Sequence, residues 1–136
     1  MFDDLKNGIT SVLSDNGIYV YNEYFDIDVN KNSNRNIGFL SIREIEKINS
    51  SYNTNEEKLC EVFVTIECKV IAKKGITTNL FSQTMNNIYI DFLLSSDVPS
   101  VSLKMEDLKI NSLYSRFETN LIFKFRYFLS ETGSST

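Results

Sequence analysis

The chain has 136 residues, a hydrophobic fraction of 42%, an aromatic fraction of 12% and a net charge of −4 at pH 7. These values exclude a disordered chain, which is poor in aromatic and β-branched residues. They also exclude a nucleic-acid binder that neutralises phosphates over its whole surface, although a local basic patch stays compatible with them. One domain of this size buries roughly two-thirds of its unfolded surface and needs no covalent staple.

From Phe2 to Asp15 the residues Phe2, Leu5, Ile9, Val12 and Leu13 recur at helical spacing. Asp3 and Asp4 fall where the helix dipole favours negative charge, and Asn16-Gly17 supplies the stop. Ile18 to Val29, rich in tyrosine, phenylalanine and β-branched residues, reads as a strand with both faces partly apolar. Asn30 to Asn36 contains no apolar residue and is dominated by asparagine, which favours turns, so an exposed loop is expected there. Ile37 to Ile48 resumes as a strand with a charged outer face from Arg43, Glu44, Glu46 and Lys47, and with a bulge or turn near Ile45. Asn49 to Glu57 reads as a second polar loop, and Leu59 to Lys73 as the third strand.

Thr77 or Thr78 is placed to cap a helix reaching about Ser96, with Phe81, Met85, Ile88 and Phe92 on one face and Leu80 and Leu93 widening the stripe. Asp97-Val98-Pro99 ends it, because proline pushes the preceding residue out of helical geometry. Val101 to Ile110 alternates with a phase change at Glu106-Asp107, which fits a bulge or bend in one long strand. Phe117 to Leu129 then alternates strictly, and residues 131–136 read as a flexible tail after a single domain spanning 1–130. The expected fold is α+β: a mostly antiparallel sheet with two helices packed on one side, in the order α-β-β-β-α-β-β.

Cys60 and Cys68 are eight residues apart in one predicted strand. At about 3.3 Å per residue their Cα atoms stand roughly 26 Å apart, far beyond the reach of a disulfide. They are expected as reduced thiols packed as small hydrophobes, which suits a cytoplasmic setting. No apolar run approaches the roughly 18 residues of a membrane span, and Met1-Phe2-Asp3-Asp4 lacks the basic start of a signal peptide.

Little in the chain points to a reaction. It has no histidine, the commonest general base and metal ligand, and no C-x-x-C pair for zinc. Its five glycines form no phosphate-cradling motif. The carboxylate pairs Asp26 with Asp28, Glu61 with Glu67, and Glu106 with Asp107 read as solvated surface rather than as catalytic or metal groups. Lys69, Lys73, Lys74, Lys124 and Arg126 form a basic set if the third and last strands are neighbours, and pairing with Glu61, Glu67 and Glu118 is the simpler reading of it. No cofactor or metal is expected, and no enzyme activity.

Assembly is better signalled. The polar positions of Phe117 to Leu129 are interrupted by Ile122 and Phe128, and those of the third strand by Phe63 and Ile71. Tyr19, Tyr21, Tyr24 and Phe25 crowd the first strand; some of them complete the core, and tyrosine is also enriched where strands meet partners. Tyr19, Tyr21, Phe63, Ile71, Ile122 and Phe128 are therefore candidate contact residues, joined by Lys31, Asn32 and Arg35 of the asparagine-rich loop.

The opening Phe2-Asp3-Asp4-Leu5-Lys6 helix leading straight into Ile18-Tyr19-Val20-Tyr21-Asn22-Glu23, followed by a loop, a strand, a central helix and two long last strands, resembles the tail terminator proteins of long-tailed bacteriophages and of phage tail-like bacteriocin particles. The likeness spans nearly the whole chain and rests on element order and length. It implies a homo-oligomeric ring, commonly a hexamer, that docks on the last ring of tail tube protein and stops its polymerisation. It further implies contacts with sheath and neck or connector proteins, DNA only as it passes through the lumen, and no membrane. The setting implied is the bacterial cytoplasm during assembly and then the virion tail or a contractile tail-like particle. Related neck and tail-completion proteins share much of this plan. A small-ligand or peptide-binding α+β module is the alternative from another class.

Overall fold

The computed structural model describes residues 2–21, 34–52, 58–94, 100–111, 115–130 and 133–135. They form α1 (Asp3–Asp15), β1 (Ile18–Tyr21), β2 (Asn36–Tyr52), β3 (Lys58–Ile71), α2 (Thr78–Leu94), β4 (Ser100–Met105), β5 (Lys109–Asn111), β6 (Arg116–Ser130) and β7 (Gly133–Ser135). The strands build one sheet in the order β1-β2-β3-β6-β4, with β5 and β7 also on β6. Among the described residues every strand pairing is antiparallel except that of β1 with β2. The expected α+β class and element order are those observed.

β6 organises the sheet. One of its edges pairs with β3 continuously, from Leu59 opposite Ser130 to Ile71 opposite Glu118. The other edge is covered in three pieces: β5 opposite Arg116–Glu118, β4 opposite Leu121–Phe125, and β7 opposite Phe128–Ser130. The phase change at Glu106-Asp107 is the break between the first two pieces. There the Glu106 amide donates to the Asn120 carbonyl at 3.0 Å, and the Thr119 hydroxyl donates to the Glu106 carbonyl at 2.7 Å. These bonds satisfy the Glu106 backbone where the strand bends. Within the stretch expected as a tail, β7 pairs with β6 over three residues.

The period of two sends one residue set of each strand to the helices and the other to the opposite face. Val62, Val64, Ile66, Cys68 and Val70 of β3 join Leu121, Phe123, Phe125 and Tyr127 of β6 in the main core. Leu5, Ile9 and Leu13 of α1 and Phe81, Met85, Ile88 and Phe92 of α2 close it from one side. Phe92 lies 4.7 Å from the Phe123 ring centre and 6.0 Å from that of Phe125. Such aromatic pairs each add about 0.5–1.5 kcal/mol beyond the area they bury.

Both helices are fixed at their ends by identifiable bonds. Phe2, at φ 58°, opens α1 in a left-handed conformation with no side-chain cap. Its ring makes up for this by standing edge-on to Tyr127 at 5.1 Å, while the Tyr127 hydroxyl donates to the Asp4 carboxylate at 3.0 Å. At the other end Asn16 donates from Nδ2 both to the Val12 carbonyl at 2.8 Å and to Asp91 Oδ2 of α2 at 2.9 Å. Of the two candidate caps for α2, Thr77 takes the role, its hydroxyl oxygen accepting from the Leu80 amide at 3.2 Å.

Several boundaries differ from expectation. The second polar loop does not begin at Asn49, since β2 continues to Tyr52. Serine and asparagine are tolerated there because residues 43–51 are exposed on both faces, so side-chain burial does not select against them. β2 carries two irregularities, at Arg43 and at Ile48, on either side of the position expected for one. Leu80 and Leu93 do not widen the buried stripe of α2: they are 48% and 61% exposed, because the sheet accepts only the Phe81, Met85, Ile88, Phe92 row. Of the first strand only Ile18–Tyr21 lies within the described residues, and most of the asparagine-rich loop, with Asp26 and Asp28, lies outside them.

Gly38 of β2 sits where the sheet is tightest. A Cβ there would come 2.9 Å from Cys68 Sγ and 3.2 Å from Ile18 Cγ2, both in the packed core. Gly38→Ala is expected to lower stability by about 1–3 kcal/mol, read from the urea midpoint at unchanged m-value. Cys68 is fully buried, and desolvation pushes its thiol up from the ordinary 9.0 to about 12. A proton held more tightly by the folded state stabilises it below about pH 9, and that contribution is lost as pH rises through 9 toward 12. Unfolding midpoints should therefore fall over that interval, more for the wild type than for Cys68→Ala. In the native protein at pH 8 a thiol reagent should spare Cys68 and leave Cys60, which is only partly buried, as the reacting thiol.

Candidate functional site

The face of the sheet turned away from the helices carries the side chains that alternate with the core. It is built from Tyr19 and Tyr21 of β1, Ile37 and Phe39 of β2, Glu61, Phe63, Glu67 and Ile71 of β3, and Glu118, Ile122, Lys124, Arg126 and Phe128 of β6. The register carries this assignment, because residues directly opposite share a face and Val62 and Val64 lie in the helix-side core. The anticipated apolar residues Tyr19, Tyr21, Phe63, Ile71, Ile122 and Phe128 are all brought to this one face.

They fall into two groups. At the β1 end, Ile37 and Ile71 are buried beneath Tyr21 and Phe39, whose rings stack at 5.8 Å between centres. Ile71 therefore packs within the chain and is only 3% exposed. Tyr19, 51% exposed, lies 5.3 Å from the Tyr21 ring and under the Arg35 guanidinium, whose carbon stands 4.5 Å from the Tyr19 ring centre. A hollow of about 520 Å³ opens beside it, between the end of α1 and Arg35. Lys31 and Asn32 lie outside the described residues.

At the other end the face is a diagonal ladder of charges and rings. Glu61 is opposite Phe128, Phe63 opposite Arg126, and Thr65 opposite Lys124. Arg126 forms an ion pair one step along with Glu61, and Lys124 Nζ lies 4.5 Å above the Phe63 ring centre. Glu61 holds the Arg126 guanidinium more firmly protonated than usual by hydrogen bonding and by its charge. Glu67 is met from β2 by Arg43 instead of from β6. Of the basic set, Arg126 makes the cross-strand pair with Glu61 that the sequence suggested, Lys124 lies on a ring instead, and Glu67 is taken by an arginine outside the set. Ile122 is half-buried among these groups, and Phe128 is 39% exposed at the ladder's end.

Among the described residues the carboxylates of β3 do not converge on one site. Glu61 and Glu67 are six residues apart on one strand, about 20 Å, and each answers a different arginine. Among the described residues no cluster of three or more His, Cys, Asp or Glu side chains is placed to hold a metal ion. Among the described residues no helix is long and apolar enough to cross a membrane.

Sequence reasoning missed Arg116, which is buried at the start of β6. Its Nε donates to the Ala72 carbonyl at 2.5 Å and one terminal nitrogen to the Arg35 carbonyl at 2.8 Å. Desolvation lowers its pKa from the ordinary arginine value. It ties the segment after β3 and the entrance to β2 together beneath Tyr19. Nothing in the pattern singled it out, since an arginine next to a strand start is usually solvated. The exposed cluster Ile90, Leu93 and Leu94 near the end of α2 was missed, Leu93 because it was assigned to the buried stripe and Ile90 and Leu94 because they were given no role.

No protein-family model and no curated protein matches this chain. Arg116→Leu should cost several kcal/mol, at about 1–3 kcal/mol for each carbonyl left buried without its donor, checked by denaturant unfolding. A smaller loss would mean that solvent reaches those carbonyls.

Proposed function

We propose that this chain is a structural ring protein of the kind found at the head-proximal end of phage-type tails. As a tail terminator it caps the tail tube, stops its polymerisation, and joins it to the neck or closes the end of a headless particle. The observation that carries this is the gathering of Tyr19, Tyr21, Phe63, Ile122 and Phe128 on the sheet face opposite the helices. In a monomer such a face would favour polar residues throughout; apolar groups rimmed by charge suit a surface that meets protein.

In this reading the partners are further copies in a ring, expected as a hexamer, and the tail tube protein, with sheath and neck proteins beyond. DNA is a passing occupant of the lumen, which the net charge of −4 keeps from adhering. The protein works by contact and not by catalysis, in the bacterial cytoplasm and then in the particle. A neck or tail-completion protein would use the same surfaces, and is told apart by tubes that reach normal length without it. The hollow beside Tyr19 favours a second reading, a small-ligand or peptide-binding module. The Arg35 guanidinium already covers the tyrosine face that such a ligand would stack on.

Phe128→Glu should leave the unfolding midpoint nearly unchanged while reducing ring formation at least tenfold in sedimentation velocity, because a half-exposed ring at a strand end contributes little to the monomer. Loss of the monomer fold instead would place Phe128 in the core. Tails assembled without this protein should have tubes of unregulated length by negative-stain microscopy, and normal tubes would refute the terminator role. Thermal stabilisation of a strict monomer by a small ligand would favour the module.

A further inference from the structure

We infer that Asn16 is a modification site: its side-chain amide clasps α1 to α2, and deamidation at Asn16-Gly17 converts the clasp into a carboxylate that cannot close it again. Asn16 Nδ2 donates to the Val12 carbonyl at 2.8 Å and to Asp91 Oδ2 at 2.9 Å. Both partners only accept, so this position must donate. The next residue is Gly17, which has no Cβ to keep its amide nitrogen from the neighbouring side chain. Even an added Cβ there would meet nothing within 4 Å. The dipeptide supplies the reactivity, and the fold sets when it acts.

The reaction consumes only water. The Gly17 nitrogen gives its proton to solvent and bonds to Asn16 Cγ, while Nδ2 takes a proton and leaves as ammonia, which closes a succinimide ring. Water then adds to one ring carbonyl and breaks its bond to the Gly17 nitrogen, leaving aspartate or isoaspartate at position 16. The docked end of α1 holds this back. The Gly17 amide donates to the Ser14 carbonyl at 3.1 Å, the Asn16 amide to the Leu13 carbonyl at 3.0 Å, and ψ at Asn16 is 17°. Ring closure needs the backbone to leave that near-helical ψ and the side chain to leave Val12 and Asp91. Conversion therefore runs from the opened end of the helix, and helix ends open before middles.

Once formed, the carboxylate reverses the contact. It faces the Asp91 carboxylate and the Val12 carbonyl with no proton to give. It also puts negative charge at the C-terminal end of α1, beside Asp15, where the helix dipole disfavours it. Isoaspartate further routes the backbone through an extra methylene, two residues before Ile18, which is buried in the core. Both products favour the undocked helix, and redocking does not undo them. Asn7-Gly8 repeats the dipeptide in the middle of α1, where opening requires the turns on both sides to melt, and so serves as an internal comparison.

Peptide mapping by mass spectrometry of the full chain, incubated native and unfolded in urea at mildly alkaline pH, reads both asparagines. In urea the two should convert at similar rates. In the native protein Asn16 should convert at least about tenfold more slowly than in urea, yet severalfold faster than Asn7. Asp91→Ala should speed conversion of Asn16 in the native protein and leave its rate in urea unchanged. Asn16→Asp, which reproduces one product, should lower the thermal midpoint and raise amide hydrogen exchange across α1. Adding Asp91→Asn to it should recover much of both losses by returning a donor to the pair. Equal rates for Asn16 in the native and unfolded protein, equal native rates for Asn16 and Asn7, or an Asn16→Asp protein as stable as the wild type would each overturn the inference. Every one of these results leaves the ring reading standing.

Discussion

The β3–β6 ladder is the constraint on which the rest of the molecule depends. Two long strands paired over their whole length fix, residue by residue, which side chains face the helices. Because side chains alternate with a period of two, a slip of one residue would exchange Phe123 and Phe125 for Lys124 and Arg126 against α2. That exchange would bury two cations and expose two phenylalanines, so the register has no near competitor. α1 and α2 then find a surface already specified, and β2 extends it outward.

The same alternation divides labour between the faces. The helix side holds the aromatic packing and the inert thiol. The other side combines rings with charges that answer one another across strands. Exposed cross-strand ion pairs such as Arg126 with Glu61 contribute little stability, so they are better understood as setting the chemistry of a surface. They surround the half-buried Phe63 and Ile122 and leave Phe128 partly exposed at the ladder's end. At the other end Ile71 shows how an apolar residue at a polar position can serve the chain itself, packed against Ile37 beneath two stacked rings.

Helices and long strands were legible in the sequence because their periods persist over many residues. Leu5, Ile9 and Leu13, or Val62 to Val70, leave no alternative phase. Even the break at Glu106-Asp107 was readable, since a shift in phase is itself a periodic signal. The last residues of β2, from Asn49 on, were not legible: Ser50 and Ser51 are poor strand formers, and only pairing with Leu59 and Cys60 makes them a strand. Leu93 was misplaced because a hydrophobic residue at helical spacing does not reveal how wide the facing sheet is. The open face was partly visible as apolar interruptions, yet the pairing of Glu67 with Arg43 depended on a strand order that periodicity cannot supply.

The bond between Tyr127 and Asp4 joins residues 123 positions apart. With Phe2 edge-on to the same ring, α1 can complete its docking only once β6 is in place. Until then its Leu5, Ile9 and Leu13 face water or a temporary host, and a helix of 13 residues is marginal without its tertiary surface. Such long sequence separation carries a loop-closure cost and slows folding. During synthesis α1, made before β6, thus settles only after it. That order delays the finished sheet, and with it any association through its faces, until the strand that closes the core has left the ribosome.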